Sequence, residues 1–462
     1  MSRQRFLRLF TLSILICGLC SHAAWAQSKK DIAKANELLD QGNQAFAQKR
    51  YHDAIDKYQQ AILLVPKNPD AHFRKAYAHY NQNEYDSAKY EFQLALDQSY
   101  KKPVDIYSIR WHLFYDLKDY DAALADLKNG VAIEPRNLDF LSGAGDVYTA
   151  KKQFKDALDA YQKGLALSPK SGDLYCNIAR VQQILGDTAA QRTAADEAVK
   201  NGTRMSGEAF YLLADAARKQ KDLPAAIDAY QRAISSSPDN YDAYKSLADL
   251  FRGQARFQDA IEVLKKARLQ FRTDGSILND LARYDSLVGR PEDALKDALA
   301  GISLQPNQYA GYTNLCRAYN EVQKFQDAIT ACNRALTLKP GDGETDFYLG
   351  NAYLQLNKAS EADRYYRFAV TGLTDYTTKN PDYADGWYLL GGALFNNNQP
   401  DKSIEAYLKC LAISPNFAKA RFNLGFIYRV KKNKAGATEQ YNKLVKLDAA
   451  LAAKLKAEID KM

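Results

Sequence analysis

The chain has 462 residues, of which 46% are hydrophobic and 26% charged, and its formal net charge is +8. That apolar content is sufficient to bury a large interior, which excludes an intrinsically disordered chain. The positive excess is small for this length and is not concentrated in any run or domain, so nucleic acid is not expected as the main partner.

The first 26 residues have the pattern of a secretory signal peptide. Arg3, Arg5 and Arg8 give a basic start, and an uncharged, largely apolar stretch follows them. The motif Ala24-Trp25-Ala26 fits a signal-peptidase site, so we expect cleavage after Ala26 and a periplasmic or secreted protein. The three arginines leave with the signal, which lowers the net charge from +8 to +5.

A retained anchor and a lipoprotein are the alternatives to a cleaved signal. A membrane span needs about 20 apolar residues, whereas the stretch from Leu9 to Cys20 has 12. A lipid-modified Cys20 would follow Leu19, at a place where a small residue is expected. No later stretch has the length and apolarity of a span, so we expect no integral span after cleavage. Residues 27–34 form a short lead-in to the next part of the sequence.

A repeat of about 34 residues runs through the rest of the sequence. Alanines recur in one local setting, mostly 34 residues apart, at Ala54, Ala88, Ala123, Ala157, Ala226, Ala260, Ala294, Ala328, Ala362 and Ala437. Prolines follow a similar spacing, at Pro66, Pro135, Pro169, Pro238, Pro306, Pro340 and Pro415. This period predicts an array in which each unit packs only on its neighbours.

Each unit has the pattern of two amphipathic helices. In the unit that begins at Tyr241, the i, i+3, i+4, i+7 spacing of one helix face occurs twice, at Tyr244, Leu247, Ala248 and Phe251 and again at Phe257, Ala260, Ile261 and Leu264. Gly253 separates the two helices, and the proline after a second helix, as at Pro238, cannot continue it. Asn240 then stands where it can cap the next helix.

This pattern resembles the tetratricopeptide repeat family over nearly all of the sequence after the signal. The matching first-helix positions hold small residues, at Gly42, Gly145, Ala248, Cys316, Gly350 and Gly425. They pair with the second-helix alanines above and with aromatics such as Tyr58, Tyr161, Tyr230, Tyr407 and Tyr441. The resemblance implies an all-α fold, a right-handed α-solenoid of about twelve helix-turn-helix repeats over residues 35–449, with first helices lining a concave groove. The fifth repeat, around Gly186 to Ala198, departs most from the pattern.

In each first helix, the second, fifth, ninth and twelfth positions lie away from the packing stripe. The family resemblance implies that they line the groove, and we call them the inner face. Near the start they include Asn43, Phe46, Phe73, Tyr77 and Tyr80. In the middle they include Arg180, Asp215, Arg218, Lys245, Asp249, Arg252, Arg283 and Arg317. Near the end they include Phe347, Asn351, Tyr388, Phe395, Phe422 and Phe426.

Aromatic residues on this face are candidate anchors for a partner, and arginines there are candidate carboxylate ligands. The alternative is that these arginines pair with neighbouring Asp and only solvate the surface. The carboxylate clamp of chaperone-binding relatives is incomplete, because Asn43 matches it but Leu39 stands where its first lysine is expected. We therefore do not predict recognition of a partner's C-terminal carboxylate.

Two segments near the end depart from the simple repeat. An insertion of unknown purpose falls near residues 371–385. After the array, Leu451, Leu455 and Ile459 lie on one face of a last helix over residues 450–462, with lysines on the other side. We predict that this helix caps the array, because an array otherwise ends in an exposed apolar face.

Signals of catalysis are missing from the sequence. It has no phosphate-binding loop, no nucleophile elbow and no dinucleotide fingerprint. The histidines after the signal, His52, His72, His79 and His112, lack metal-ligand spacing. We expect neither an enzyme nor a bound metal or cofactor.

Cysteine usage indicates at most one disulfide. Cys17 and Cys20 leave with the signal, and the remaining four are too few for a disulfide framework. Cys316 and Cys332 stand 16 residues apart, at positions of one repeat whose faces meet in tetratricopeptide hairpins. We predict a disulfide between them, the alternative being two small buried thiols.

The function expected from these features is that of an exported scaffold, which binds a protein or peptide partner in its concave groove. The alternative is a structural or accessory subunit of an envelope secretion or polysaccharide export apparatus. In that case the solenoid would serve as a spacer and its convex surface would matter.

Overall fold

The computed structural model describes residues 29–462. These residues contain 25 α-helices joined by short turns, and no β-strand. No helix among them is both long enough and apolar enough to cross a membrane. The predicted signal peptide, residues 1–26, and its cleavage after Ala26 lie outside the described residues.

The described residues form two compact units, which divide between Gly186 and Asp187. The helices of the first unit are α1 (Lys29–Ala47), α2 (Tyr51–Leu64), α3 (Pro69–Asn81), α4 (Tyr85–Asp97), α5 (Pro103–Asp116), α6 (Tyr120–Ile133), α7 (Leu138–Ala150), α8 (Phe154–Leu167) and α9 (Gly172–Leu185). The division therefore falls in the fifth predicted repeat, the one that departs most from the pattern.

The second unit continues the alternation of first and second helices. Its helices are α10 (Thr188–Asn201), α11 (Ser206–Lys219), α12 (Leu223–Ser236), α13 (Tyr241–Gly253), α14 (Phe257–Gln270), α15 (Gly275–Leu287), α16 (Pro291–Leu304), α17 (Tyr309–Glu321), α18 (Phe325–Leu338), α19 (Gly343–Gln355), α20 (Ala359–Lys379), α21 (Ala384–Asn396), α22 (Pro400–Ile413), α23 (Ala418–Val430), α24 (Lys434–Leu444) and α25 (Ala449–Ile459). Within each unit consecutive helices pack side by side. The all-α solenoid class predicted from the repeat is confirmed.

The turns follow from local backbone chemistry. At the end of α7, Lys152 adopts the left-handed conformation (φ 60°), and the backbone N–H of Gln153 donates to the carbonyl of Tyr148 at 2.8 Å. This pattern ends a helix abruptly, and the same left-handed position recurs in most hairpin turns. In the turn between one repeat and the next, Asn240 caps α13 as predicted, because its Oδ1 accepts from the backbone N–H of Ala243 at 3.1 Å.

In several hairpins the close approach of the two helices depends on a glycine. A Cβ added at Gly145 would lie 2.3 Å from the ring of Tyr161, and one at Gly350 would lie 2.8 Å from the ring of Tyr366. Both tyrosines are buried, at 1% and 2% exposure. The second-helix ring thus lies directly against the backbone of the first helix, and no larger residue fits without displacing it.

The predicted insertion near residues 371–385 mainly lengthens a helix. Helix α20 has 21 residues, whereas α19 and α21 have 13 each. Gly343 and Gly372 allow α19 and α20 to touch along their backbones, since a Cβ on Gly343 would lie 2.6 Å from the backbone nitrogen of Leu373. The extra turns of α20 carry the backbone further before α21 begins.

The last helix covers the end of the array. Ala452, Leu455 and Ile459 of α25 are buried, in one apolar cluster with Ala437 and Leu444 of α24. The exposed side of α25 is rich in charged and small residues. This is the arrangement expected of a cap, which shields the apolar face of the last hairpin.

The glycine contact generates a stability prediction. We expect Gly350→Ala to lower the free energy of unfolding by about 1–3 kcal/mol, because the added methyl group displaces the Tyr366 ring. The matched control is Gly253→Ala, at the end of α13, where nothing lies within 4 Å of the added Cβ. That variant should be neutral or stabilising by up to about 1 kcal/mol. Chemical denaturation measures the free energy of unfolding of both variants. An equal loss in Gly350→Ala and Gly253→Ala would contradict the packing argument.

Candidate functional site

The predicted middle of the groove holds an ion network inside the second unit. Glu344, at the start of α19, pairs with Arg283 of α15 at 2.9 Å and with Arg317 of α17. The Arg317 side chain is only 5% exposed, and its guanidinium lies 4.8 Å from the ring centroid of Tyr348. Both arginines therefore have a carboxylate partner within the protein. This partner, Glu344, lies two repeats after Arg283 and one repeat after Arg317.

Arg252 takes part in a second set of contacts with a distant repeat. Its guanidinium stacks on Tyr383 at 3.9 Å and lies 3.6 Å from the carboxylate of Asp385, while it also pairs with Asp249 on its own helix at 3.2 Å. Arg283 approaches the same Asp385 at 4.0 Å. The start of α21 is thus held against α13 and α15 by charge and stacking.

Further contacts join the region of α13 to α15 to the residues around α22 and α23. Phe257 and Phe417 meet edge to face at 5.2 Å. The hydroxyl of Ser414 donates to the carbonyl of Gly253 at 2.5 Å, and Lys419 Nζ donates to the carbonyl of Ser286 at 2.7 Å. Side chains of α11 to α15 and of α21 to α23 form one continuous buried cluster. The second unit therefore closes on itself, and its own later helices occupy the inner side of α13 and α15.

The remaining charged candidates lie in different settings. Arg180 of α9 donates to Asn177 at 3.1 Å. Arg218 pairs with Asp215 on the same helix at 2.8 Å, and its side chain is 44% exposed. Lys245 is exposed on α13. Within the second unit, neither Arg218 nor Lys245 forms an ion pair with the network of Arg283, Arg317 and Glu344.

Most of the candidates near the end of the sequence do come together. A single cavity of about 670 Å³ is lined by inner-face residues of three first helices: Phe347 and Asn351 of α19, Phe395 of α21, and Phe422 and Phe426 of α23. We call it the terminal cleft. Equivalent inner-face positions of successive first helices stack side by side, which explains why residues so far apart in sequence converge.

Two features of the terminal cleft were not predicted. Tyr388 is not part of its lining, because its ring stacks on Phe417 at 4.9 Å. One wall is instead formed by α25, through Lys454, Ala457 and Glu458. The sequence pattern of α25 indicated a cap, but nothing in it indicated that its polar side would border a cavity.

Asparagines supply the polar groups of the terminal cleft. Asn351 Oδ1 accepts hydrogen bonds from the hydroxyl of Tyr366 at 2.9 Å and from Asn396 at 3.3 Å. Asn423 donates to the hydroxyl of Tyr407 at 2.9 Å. These bonds orient the amides, and the amide nitrogen of Asn351 has no further partner within residues 29–462. An apolar cavity with a few oriented polar groups is the usual form of a binding site.

The candidates near the start form a row of rings in the first unit. Tyr77 stacks on Phe46 at 5.2 Å and lies 6.4 Å from Phe73, which in turn stacks on Tyr100 at 4.7 Å. Tyr80 extends the row from Tyr77 at 6.5 Å. All of these rings are only partly buried.

Asn43 lies at the edge of that row. Its Oδ1 accepts from the hydroxyl of Tyr58 and from Arg74, each at 3.0 Å. The amide therefore joins α1, α2 and α3, in the same way that Asn351 joins its own hairpin to the next.

The structure contains the disulfide between Cys316 of α17 and Cys332 of α18, with the Cα atoms 5.2 Å apart. Cys410 is a buried thiol, and burial raises its pKa, which makes it unreactive.

The histidines of the described residues do not form a metal site. No cluster of three or more His, Cys, Asp or Glu side chains in residues 29–462 is arranged to hold a metal ion. His72 instead contacts the carboxylate of Glu91 at 2.5 Å, and His79 contacts Glu84 at 2.5 Å.

The disulfide yields a prediction about stability. Replacing Cys316 and Cys332 together by alanine should lower the free energy of unfolding by about 3 kcal/mol, the value for a loop of this length. Reducing agent should lower the melting temperature of the parent and leave that of the double variant unchanged. A parent protein that melts at the same temperature with and without reductant would contradict it.

A buried carboxyl yields a prediction about pH. Burial, with the charge of Asp342 nearby, raises the pKa of Asp346 to about 7. In the unfolded protein this pKa is about 4, so the folded state favours the protonated form. The contribution of Asp346 to the free energy of unfolding is therefore present at acid pH, and it is lost as pH rises from about 4 to about 7.

Asp346→Asn should remove this dependence. We expect the variant to melt above the parent at pH 8, with the difference shrinking toward pH 5. A constant difference between the two melting temperatures across this range would mean that Asp346 does not titrate as described. Asp401→Asn, on an exposed side chain, is the control for loss of a carboxylate.

Comparison with known proteins begins with family profiles. A profile described as TPR repeat matches residues 42–83 and 145–186. Two profiles described as tetratricopeptide repeat match residues 178–241 and 211–276, and residues 384–417. The matched stretches fall on the helix pairs described above.

Two curated relatives match different shares of this protein. The DnaJ homolog subfamily C member 7 homolog of Dictyostelium discoideum is 21% identical over 369 residues, which are 72% of this chain and 68% of that protein. The protein O-mannosyl-transferase TMTC1 of Homo sapiens is 24% identical over 207 residues, which are 44% of this chain but only 23% of that protein.

Among solved structures, the crystal structure of the yeast Tom70 is similar over 92% of this chain and 96% of that chain, at 15% identity and a TM-score of 0.38. Family membership rests on the sequence profiles and on the repeated helical hairpins. The chain belongs to the tetratricopeptide repeat family.

Proposed function

We propose that this protein is an exported scaffold that binds a polypeptide partner, and that the terminal cleft is its principal binding site. Binding of protein partners is typical of tetratricopeptide repeat folds. Export rests on the predicted signal peptide, and the partner's class rests on the chemistry of the terminal cleft.

The observation that carries the proposal is the apolar lining of this cleft. Four phenylalanines, Phe347, Phe395, Phe422 and Phe426, face a cavity of about 670 Å³ that no side chain of the described residues fills. Aromatic side chains that remain partly exposed around a cavity lose water contact when an apolar side chain enters. A partner would therefore insert one or two aliphatic or aromatic residues here.

The polar groups of the terminal cleft favour a peptide over a purely apolar ligand. The amides of Asn351 and Asn423 are held by Tyr366 and Tyr407, so their orientation is set before a partner arrives. An amide side chain has both donors and an acceptor, which matches the N–H and C=O groups of a peptide backbone. Lys454 at the wall adds a cation for an acidic side chain of the partner.

Catalysis is not part of this proposal. The terminal cleft holds phenylalanines and asparagines, and its lysine and glutamate lie on one wall without a nucleophile beside them. A reaction would need a positioned acid, base or nucleophile, together with a group that stabilises the transition state.

A structural role in an envelope secretion or polysaccharide export apparatus is the second candidate. The closure of the second unit favours it, because Arg252, Arg283 and Arg317 bind carboxylates of the protein itself. A unit whose inner side is occupied in this way is suited to act as a rigid spacer.

The test combines crosslinking with binding by purified proteins. A photo-crosslinking amino acid placed at Phe422 should capture a partner in producing cells, and the same group at Phe368, 50% exposed on α20 and not part of the cleft, should not. With the captured protein in hand, Phe422→Ala with Phe426→Ala should weaken binding roughly 10- to 100-fold, as expected for two buried aromatic anchors.

Phe368→Ala is the matched control and should bind like the parent. If the cleft variants fold and also bind like the parent, the terminal cleft is not the binding site. Crosslinks that arise from Phe368 and not from Phe422 would favour the spacer candidate.

A further inference from the structure

The extended part of α20 builds one wall of a further cavity in the second unit. This cavity has a volume of about 330 Å³ and lies against the starts of α17, α19 and α21. Leu373, Asp375, Tyr376 and Lys379 of α20 line it on one side. A second helix of 14 residues, the length of α18, would end before these four residues. We call the cavity the insertion pocket, and it shares no lining residue with the terminal cleft.

The charges that line the insertion pocket are balanced within the protein. Three ion pairs border it, namely Lys339–Asp342 at 2.9 Å, Lys379–Asp375 at 2.8 Å and Arg283–Glu344 at 2.9 Å. The remaining carboxylate, Asp385, lies 3.6 Å from Arg252 and 4.0 Å from Arg283. A ligand with a net charge would therefore meet no unpaired charge of the opposite sign in this pocket.

Hydrogen-bonding capacity nevertheless remains unused. Asp385 is 7% exposed, and its Oδ2 accepts no hydrogen bond within residues 29–462. Arg283 donates to Glu344 through Nη2 at 2.9 Å, although a guanidinium has five donors. Lys339 Nζ donates two hydrogen bonds, at 2.9 Å each, and an ammonium has three donors. Buried polar groups with spare capacity are stabilised by a ligand that completes their hydrogen bonds.

Two tyrosines supply apolar surface next to these polar groups. The ring of Tyr376 lies directly against the backbone of Gly386, where an added Cβ would be 2.9 Å from it, and Tyr376 is 37% exposed. The ring of Tyr309 is partly buried and lies 4.2 Å from Lys339 Nζ. The insertion pocket thus combines aromatic rings with charged donors and acceptors whose positions are set by their ion pairs.

We propose that the insertion pocket binds a neutral saccharide. A sugar hydroxyl both donates and accepts, so neighbouring hydroxyls can donate to Asp385 and accept from Arg283 at the same time. Hydrogen bonds to charged groups are roughly twice as strong as those between neutral groups. The C–H face of a sugar ring loses contact with water when it packs on an aromatic ring such as that of Tyr376. This proposal goes beyond the proposed function and does not depend on it.

Other classes of ligand fit the insertion pocket less well. An acidic ligand would lie beside Asp342 and Asp385, and a basic ligand would lie beside Arg283 and Lys339. In each case the protein's own ion pair would have to break before the ligand could take its place. A purely apolar ligand would remove these groups from water without a compensating hydrogen bond.

The experiment uses the full-length protein and defined sugars. Binding of glucose, galactose, mannose and N-acetylglucosamine is measured by saturation-transfer NMR at pH 6, beside that of glucuronate, glucosamine and the neutral amide N-acetylglycinamide. At least one neutral sugar should bind, and the charged sugars and the amide should bind at least about 10-fold more weakly. The proposal is overturned if no neutral sugar binds, or if a charged sugar or the amide binds as tightly as the best of them.

An isosteric substitution tests the role of the buried carboxylate. Asp385→Asn should weaken binding of the neutral sugar roughly 10-fold or more, as expected for loss of a hydrogen bond to a charged acceptor. The control is Asp401→Asn, which removes a carboxylate from the exposed side of α22. Thermal melts verify that both variants are folded. Folded Asp385→Asn that binds like Asp401→Asn would exclude the carboxylate from the site.

A filling substitution tests the cavity without changing any charge. Ala310 lines the insertion pocket, so Ala310→Leu should abolish sugar binding by occupying its space. The matched control is Ala359→Leu, on an exposed residue at the start of α20 that is not part of the lining. Unchanged binding to folded Ala310→Leu would place the sugar elsewhere and overturn the proposal.

The terminal-cleft variant distinguishes this proposal from the proposed function. Phe422→Ala with Phe426→Ala should bind the sugar like the parent, even where it loses the captured partner. Conversely, Ala310→Leu should retain the captured partner. If the terminal-cleft variant loses the sugar, then the sugar binds at the terminal cleft and the insertion pocket is not its site.

Discussion

The close contact between a small first-helix residue and the second helix of the same hairpin sets the geometry on which the array depends. In several hairpins this contact joins a glycine to a tyrosine ring, as at Gly42 and Tyr58 and at Gly350 and Tyr366. The ring occupies the space that a side chain would take, so the two helices approach closely along a defined line. In the same hairpins the tyrosine hydroxyl then reaches a polar residue one position further along the first helix, as from Tyr58 to Asn43 and from Tyr366 to Asn351. One contact therefore fixes both the distance between helices and the orientation of an inner-face amide. Packing and the candidate binding surfaces are two results of the same constraint.

The two units use charge in opposite ways. In the first unit, the buried pair of Arg110 and Asp126 lies inside one hairpin. In the second unit, Arg283 and Arg317 cross the inner side to Glu344 and help to hold distant repeats together. A buried ion pair contributes little net stability by itself, but breaking it leaves an uncompensated charge. Closure of the second unit thus depends mainly on the shared apolar core, with the ion pairs specifying which residues meet.

The hairpins, the paired cysteines and the terminal-cleft residues could be predicted from the sequence, since each depends only on periodicity within a repeat or between neighbouring repeats. Phe347, Phe395 and Phe422 converge because equivalent positions of successive first helices stack. The roles of Arg252 and Arg283 could not be predicted in this way. Their partner Asp385 lies several repeats away in the sequence. It directly follows the extended helix α20, and the repeat pattern does not predict where so long a helix ends. Tyr388 was assigned to the groove because it occupies an inner-face position, but in the structure its ring stacks on Phe417.

The link between Ser414 and Gly253 has a mechanical consequence. It joins residues 161 positions apart, whereas a bond such as Gln98 to Pro66 in the first unit spans 32. A pull on the two ends of a simple array separates one hairpin from the next, and each step needs only a local rupture. In the second unit, the pull must first break the contacts that bind α13 and α15 to α21–α23, and only then can the hairpins enclosed between them extend. Under tension the hairpins of the first unit would separate one after another. The second unit would keep its length until the contacts between α13, α15 and α21–α23 break.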